Sequence, residues 1–290
     1  MAALLALTAA AAYGVGDFLG GLAARREPSS AVVLWSHVVG LVMLLVAAPA
    51  LGGDITPRGL AIGAVAGLLG GVGVALFYRG LSLGSMSVVA PIAALLSAAL
   101  PVMAGLGSGE RPPAAAVIGI GLALVAVTLV SRESRESRNP SEPGAQPRAV
   151  IPTARRLQPL LLAIGAGVAF GLFFVAIDRA GGDVGIWPLV TARVASVSLF
   201  AALGAARVTA AAPPRAALGA ALGCGLLDAA ANVLYVLALS RGLLSVVSVL
   251  TALYPAGTVL LARYVLGERL TAEQRTGLAV AGLAAVLIAS

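Results

Sequence analysis

Long apolar runs alternate with short polar interruptions along almost the whole chain. A membrane-crossing helix needs about 20 mostly apolar residues. Ten stretches meet or approach this length: 2–22, 30–51, 59–80, 85–106, 113–130, 157–177, 185–206, 216–239, 242–264 and 272–289. Residues 131–156 are instead polar, charged and rich in Pro, which is typical of a disordered linker. The pattern predicts an all-α membrane protein with five transmembrane helices in residues 1–130 and five in 157–290.

Composition supports this class. The chain is 60% hydrophobic and 11% charged, whereas soluble domains are about 45–50% apolar and about 25% charged. One Cys and one His exclude a disulfide framework and make a thiolate or imidazole metal site untenable, so we expect no metal and no cofactor. The net charge of +7 comes from Arg at the ends of apolar runs, which is typical of membrane topology and not of nucleic-acid binding.

The distribution of arginines predicts an orientation. Fourteen Arg residues lie at the loops after helices 1, 3, 5, 7 and 9, and four lie at the loops after helices 2, 4, 6 and 8. Because excess Arg marks the cytoplasmic side, both termini are expected outside and linker 131–156 in the cytoplasm. The absence of Lys is typical of a GC-rich bacterial genome, so we expect a bacterial plasma membrane. The expected partners are lipid and a small-molecule substrate, and a monomer and a homodimer both remain open.

The two halves contain an internal repeat. A shift of 158 residues aligns 75–111 with 233–269, and 14 of the 37 aligned positions are identical, including Gly109-Glu110-Arg111 with Gly267-Glu268-Arg269. Each half has an odd number of helices, so the second copy is predicted to enter the bilayer upside down. Inverted repeats are typical of secondary transporters that work by alternating access.

These repeated segments, "ALFYRGLSLGSMSVVAPIAAL" with "GSGER" and "NVLYVLALSRGLLSVVSVLTALYPAGTVLLARYVLGER", resemble the drug/metabolite transporter superfamily, in the branch with two EamA domains. The resemblance implies a ten-helix carrier of small metabolites, often an exporter of amino acids, amines or toxic compounds. It also implies an aromatic-Gly pair in the first helix of each half, here Tyr13-Gly14 and Phe170-Gly171. Asp17 departs from the repeat, because the second half has Phe174 at that position.

Asp17 lies in an otherwise apolar first helix, one turn after Tyr13. An ionisable side chain in a bilayer costs about 2.5–3.5 kcal/mol on insertion scales and normally faces a cavity or a partner. We therefore predict that Asp17 carries a proton in coupling and that Tyr13 binds substrate. A structural hydrogen bond between helices and exposure at the membrane interface are the alternatives.

A polar stripe is predicted in helix 8, where Asp228, Asn232 and Tyr235 follow at i, i+4 and i+7. This stripe indicates the wall of a wet cavity, so all three are predicted to bind substrate, and Asp228 is a second candidate for proton coupling. Interhelical hydrogen bonding is the alternative, at about 0.6 kcal/mol per bond.

Arg193 of helix 7 aligns with His37 of helix 2, a position where the resemblance implies a basic residue. We predict that both bind substrate. For Arg193 the alternative is a structural ion pair with Asp228 or Asp17, and for His37 it is a packed core residue.

Prolines interrupt helices 4 and 9. Pro91, Pro101 and Pro255 are predicted hinges, and Tyr254 beside Pro255 is a predicted substrate contact. Kinks without a role in transport are the alternative.

The expected function is secondary transport of small metabolites or drugs across the plasma membrane by alternating access, with efflux the favoured direction. A membrane-embedded enzyme and a non-transporting scaffold are the alternatives. The sequence has no HExxH motif, no Cys/His pair and no Ser beside a base, so we expect no enzyme.

Overall fold

The computed structural model describes residues 1–83, 86–130, 153–266 and 271–289. These residues form eleven α-helices and a short 3-10 turn at Arg215–Ala217, with no strand among them. The helices are α1 Ala2–Ala24, α2 Ser29–Leu51, α3 Pro57–Leu83, α4 Met86–Gly107, α5 Ala114–Val130, α6 Thr153–Ala180, α7 Trp187–Ala205, α8 Leu218–Leu239, α9 Leu244–Thr251, α10 Tyr254–Leu266 and α11 Ala272–Ala289. The all-α prediction is confirmed, and the observed bounds lie within four residues of the predicted ones.

Two sequence predictions fall partly outside these residues. The predicted linker lies outside the described part of the chain up to residue 152, and α6 begins at Thr153, so the last four residues assigned to the linker are helical. The second Gly-Glu-Arg turn, 267–269, also lies outside it.

The ninth predicted span consists of two helices. The helix α9 ends at Thr251, four residues before Pro255, and α10 begins at Tyr254. Pro has no N–H to donate, and its ring clashes with the carbonyl four residues earlier, so the helix stops where that carbonyl lies. By contrast, α4 continues through Pro91 and Pro101. The two related helices therefore differ in continuity.

Six helices of the described chain are long and apolar enough to cross a membrane: Ala2–Ala24, Ser29–Leu51, Pro57–Leu83, Leu157–Ala180, Trp187–Ala205 and Arg215–Leu239. Large apolar side chains also cover the outside of the bundle, including Val46, Val65, Ile118 and Val286, each more than half exposed. The interior is built largely from Ala and Gly. This reversal of the usual pattern in soluble proteins is typical of a bundle whose outer surface contacts lipid.

The main helix contacts join the first half to the second. The helix α3 packs against α6 and α7, α1 packs against α8 and α10, α2 packs against α7 and α8, and α4 packs against α6 and α9. The last helices of the two halves, α5 and α11, pack against each other. Each half thus finds most of its partners in the other half.

Small residues set the closest of these contacts. A Cβ atom at Gly67 of α3 would overlap the backbone of Ala192 in α7, and one at Gly225 of α8 would overlap the backbone of Ser36 in α2. Glycine allows the helix backbones to approach where dispersion and backbone contacts replace a hydrophobic driving force.

Candidate functional site

A central cavity lies between the two halves. Its walls come from α1, α2, α3 and α4 of the first half and from α6, α7, α8 and α10 of the second. The helices α5 and α11 contribute no lining residue. The cavity is therefore enclosed by the first four spans of each half, and the fifth spans lie outside it.

An ion pair crosses the cavity wall between α7 and α8. A guanidinium Nη of Arg193 donates to Oδ2 of Asp228, and their side chains are only 11% and 22% exposed. The amide Nδ2 of Asn232, one helical turn after Asp228, donates to the Asp228 carbonyl at 2.8 Å. The same Nδ2 lies 3.4 Å from the Asp228 carboxylate oxygen that accepts from Arg193, so two residues of the predicted polar stripe meet at this ion pair, in agreement with the ion-pair alternative for Arg193.

His37 reaches the cavity from α2. Its Nδ1 lies 2.8 Å from Oγ of Ser196 on α7, and Ser196 in turn donates to the Arg193 carbonyl at 3.2 Å. His37 is 3% exposed, so it is both packed and part of the cavity lining. The aligned basic positions His37 and Arg193 therefore lie at one cavity, on facing helices.

Asp17 also lines the cavity, from the inward face of α1. Its side chain is half-buried and forms no hydrogen bond or ion pair with any residue that the structure describes. Directly before it, Gly16 lies close to the α8 backbone at Cys224 and Asp228. This close packing brings the Asp17 carboxyl to the cavity without giving it a partner.

Five aromatic side chains form the apolar part of the wall: Tyr13, Phe170, Phe173, Phe174 and Tyr254. The rings of Tyr13 and Phe174 meet edge to face with centroids 6.3 Å apart, and those of Phe173 and Phe174 lie 5.4 Å apart. Phe170, Phe173 and Phe174 were not among the predicted site residues. The cluster "AFGLFF" at i, i+3 and i+4 carries the signal, because these spacings share one helix face.

Tyr235 lies behind this wall. It is fully buried, its ring lies 4.5 Å from that of Phe174, and its hydroxyl lies 2.8 Å from Oγ of Ser248. Among the predicted contacts, Arg193, Asn232, Asp228, Tyr254, Tyr13, His37 and Asp17 line the cavity, and Tyr235 does not.

The predicted hinges lie in α4 and at the start of α10. Pro255 occupies the second position of α10, directly after the cavity residue Tyr254. Pro101 is buried within the continuous α4, and Pro91 lies one turn inside the start of the same helix. Only Pro255 therefore coincides with a break in a helix.

Two polar atoms at the cavity have no hydrogen-bond partner in the described part of the chain: Oδ1 of Asn232 and the hydroxyl of Tyr254. Both are buried, and buried polar groups normally have a partner. No three His, Cys, Asp or Glu residues come together within the described ranges.

The fold and the site define a multi-pass integral membrane protein with a charged cavity at the centre of its helix bundle. A model of the EamA-like transporter family matches residues 1–132 and 157–290, and the chain belongs to this family. Membership supports a transporter of the drug/metabolite type, in two EamA repeats as predicted.

The fold is also similar to that of a protein solved by crystallography, at a TM-score of 0.73 and 18% identity over 99% of this chain and 95% of the other. This likeness concerns the fold alone. None of the curated proteins compared with the chain matches it.

Proposed function

We propose that the protein is a secondary transporter that exports small metabolites or drugs across the plasma membrane by alternating access between two inverted five-helix halves. The central cavity carries this proposal, because both halves wall it and it holds charged side chains inside a bundle with an apolar exterior. Ionisable side chains inside a membrane protein mark substrate or ion pathways.

Equivalent contacts in the two halves support the inverted repeat. Gly14 of α1 packs on the Tyr254 carbonyl, and Gly171 of α6 packs on the Leu96 carbonyl. The shift is 157 residues for the glycines and 158 for their partners, so exchanging the halves converts one contact into the other.

The second pair of close approaches follows the same rule. The contact of Gly67 with Ala192 corresponds to the contact of Gly225 with Ser36. Gly225 lies 158 residues after Gly67, and Ala192 lies 156 residues after Ser36. The extensive helix contacts correspond in the same way. The packing of α3 on α6 has its counterpart in the packing of α8 on α1, and the packing of α3 on α7 has its counterpart in the packing of α8 on α2.

Contacts between loops join the halves at both ends of the bundle. At the end with the α2–α3 and α6–α7 loops, Asp54 donates its N–H to the Asp183 carbonyl at 2.8 Å. At the opposite end, Ser30 donates to the Ala210 carbonyl at 3.0 Å, and Glu27 accepts from the Ala216 N–H at 2.9 Å. In the proposed cycle these end contacts break in turn, one end opening while the other stays closed.

Glu110 adds a further contact between halves. Its carboxylate accepts the N–H groups of Leu244 and Ser245 at 2.7 and 3.0 Å, at the start of α9. A carboxylate at a helix N-terminus satisfies unpaired donors and complements the helix dipole. The repeated Gly-Glu-Arg turn thus has a physical use in the first half, because its Glu holds a helix of the second.

In this proposal Arg193, Asp228, Asn232, Tyr254, Tyr13 and His37 bind substrate in the cavity, and Tyr235 supports the wall through Phe174. Asp17 and Asp228 are the proton-coupling candidates, and Pro255 provides the hinge, with Pro91 and Pro101 available in α4. Both termini lie outside, and linker 131–156 lies in the cytoplasm.

Flux in proteoliposomes tests the proposal. Purified protein should accelerate release of a transported compound relative to empty liposomes, and Gly67→Val, which blocks the packing of α3 on α7, should abolish the flux. If flux does not respond to an imposed pH gradient, proton coupling is wrong and exchange or facilitated diffusion replaces it.

Cysteines placed in the turns 109–111 and 267–269 test the topology. The inverted repeat requires them to react with an impermeant thiol reagent from opposite sides of the membrane.

A further inference from the structure

The cavity contains one carboxyl group without a cationic partner among the described residues. Its ionisable lining residues are Asp17, His37, Arg193 and Asp228, together with two tyrosines. Arg193 and Asp228 neutralise each other in a direct ion pair, and His37 is engaged with Ser196. The carboxyl of Asp17 is left without a counter-charge among the residues that the structure describes.

In the described part of the chain, the α1 glycines on either side of Asp17 pack against uncharged groups of α3, α8 and α10. Gly16, directly before Asp17, packs against the Leu227 side chain and the Cys224 carbonyl of α8. Gly20 packs against Tyr78 of α3, whose hydroxyl lies 2.9 Å from the Cys224 Sγ. On α10 the helix contact is made through Tyr254, Gly257 and Thr258. These neighbours supply no counter-charge, so an ionised Asp17 carboxylate would find one only on the cavity side.

The rest of the wall suits an apolar cation. Five aromatic rings line the same cavity as Asp17, and the faces of aromatic rings attract ammonium groups. The unpartnered Oδ1 of Asn232 is a hydrogen-bond acceptor, which an N–H donor would satisfy.

An anionic or zwitterionic ligand fits the charges poorly. Its carboxylate would have to displace Asp228 from Arg193, because that guanidinium already has a carboxylate partner. Displacement would leave Asp228 beside the unpaired Asp17, and two like charges in one poorly solvated site disfavour each other.

We infer that the cavity binds a small organic monocation, with its ammonium group at Asp17 and its apolar part against the aromatic wall. This inference rests on the proposed function only in treating the cavity as the cargo site. It assigns the recognition of charge to Asp17 and gives the Arg193–Asp228 pair the task of keeping the remainder of the cavity neutral.

Binding to the purified full-length protein tests the inference without any membrane gradient. The probes are a series of similar shape: phenethylammonium, the neutral 2-phenylethanol, the anion 3-phenylpropionate and zwitterionic phenylalanine. We expect phenethylammonium to bind tightest. Asp17→Asn should weaken it about tenfold to a hundredfold, which is the loss expected when a charge-assisted contact is removed. Asp17→Glu, which keeps the charge, should retain most of the binding.

Asp183→Asn is the matched control, because it makes the same chemical change at an exposed loop residue away from the cavity. It should bind phenethylammonium as the wild type does, and it corrects for partition of the amine into detergent. If Asp17→Asn fails to fold, the relative affinities of the four probes for the wild-type protein test the inference.

Three results would overturn the inference: binding of the alcohol or the anion as tightly as the amine, unchanged binding in a folded Asp17→Asn variant, or no amine binding up to about 10 mM. Binding that depends on Asp17 in a protein without flux would instead reject the transporter proposal and keep the site. Flux by a protein whose amine binding does not depend on Asp17 would reject the proposed cation site and keep the transporter proposal.

Discussion

Breaking the Arg193–Asp228 pair from one side should destabilise the protein far more than replacing both members together. Arg193→Met leaves Asp228 without its counter-ion in a cavity wall, and Asp228→Leu leaves the guanidinium equally unpaired. Removing one partner of a buried ion pair costs about 3–5 kcal/mol. Because the two side chains retain 11% and 22% exposure, we expect the lower end of this range, about 3 kcal/mol for each single variant.

The double variant Arg193→Met/Asp228→Leu should recover most of this loss. Replacing a buried pair by apolar side chains of similar volume is often neutral in stability, because the cost of desolvating both charges disappears with their attraction. The double-mutant cycle should therefore give a coupling free energy of at least about 2 kcal/mol.

Thermal unfolding followed by thiol labelling measures these changes. Cys224 is the sole cysteine of the chain and is 1% exposed, so a fluorogenic maleimide reports its exposure on unfolding. At about 2 °C per kcal/mol for a chain of this length, each single variant should melt about 6 °C below wild type.

The control is an ion pair near the end of α6. Arg179 Nε lies 3.9 Å from Asp178 Oδ2, and the two side chains are 54% and 32% exposed. Arg179→Met should cost less than about 1 kcal/mol, as exposed pairs do. The reasoning would be refuted if the single cavity variants melted at the same temperature as Arg179→Met. It would also be refuted if the double variant were no more stable than either single variant.

The remaining predictions use the same labelling assay unless stated. Gly67→Ala should destabilise the protein by about 1–3 kcal/mol, because the new methyl overlaps the Ala192 backbone, whereas Gly121→Ala enters open space and should change little. Glu110→Gln should accelerate hydrogen exchange of the first two amides of α9 and lower stability by about 1–2 kcal/mol, and unchanged exchange would contradict the capping role. Tyr235→Phe should cost about 1 kcal/mol, since it loses only the hydroxyl contact, and Tyr235→Leu should cost clearly more because it also loses the ring packing.

The helices were predictable because a membrane-crossing helix is specified locally, by length and apolarity. The bounds of α2 and α11 differ from the predicted ones by at most one residue. The break before α10 was also readable in part, since Pro255 removes a donor wherever it lies in a helix. What the sequence did not indicate was that α4, with two prolines, stays continuous, because that depends on how neighbouring helices pack.

The cavity was predictable only in part. The i, i+4 spacing predicts that Asp228 and Asn232 share one side of α8, and both residues line the cavity. Tyr235 continues the same stripe but lies two turns beyond Asp228, where it packs against Phe174 and does not line the cavity. Which side chains of α6 meet Tyr13 of α1 depends on packing between helices that lie far apart in the sequence, and no local pattern carries that information.

The comparison of the two halves separates what the scaffold needs from what the cavity needs. The aligned close contacts keep small residues, with Gly14 and Gly171 at one site and Gly67 and Gly225 at the other. The carboxylate positions do not match, because Asp17 aligns with Phe174 and Asp228 with Gly70, and the one basic pair, Arg193 with His37, differs in residue type. Close helix packing constrains both copies equally, because each contact has its counterpart in the other half. The cavity lies between the halves and is lined once by each copy, so a charge is needed from only one of them. A bundle built from two related repeats can therefore carry an asymmetric arrangement of charges at its centre.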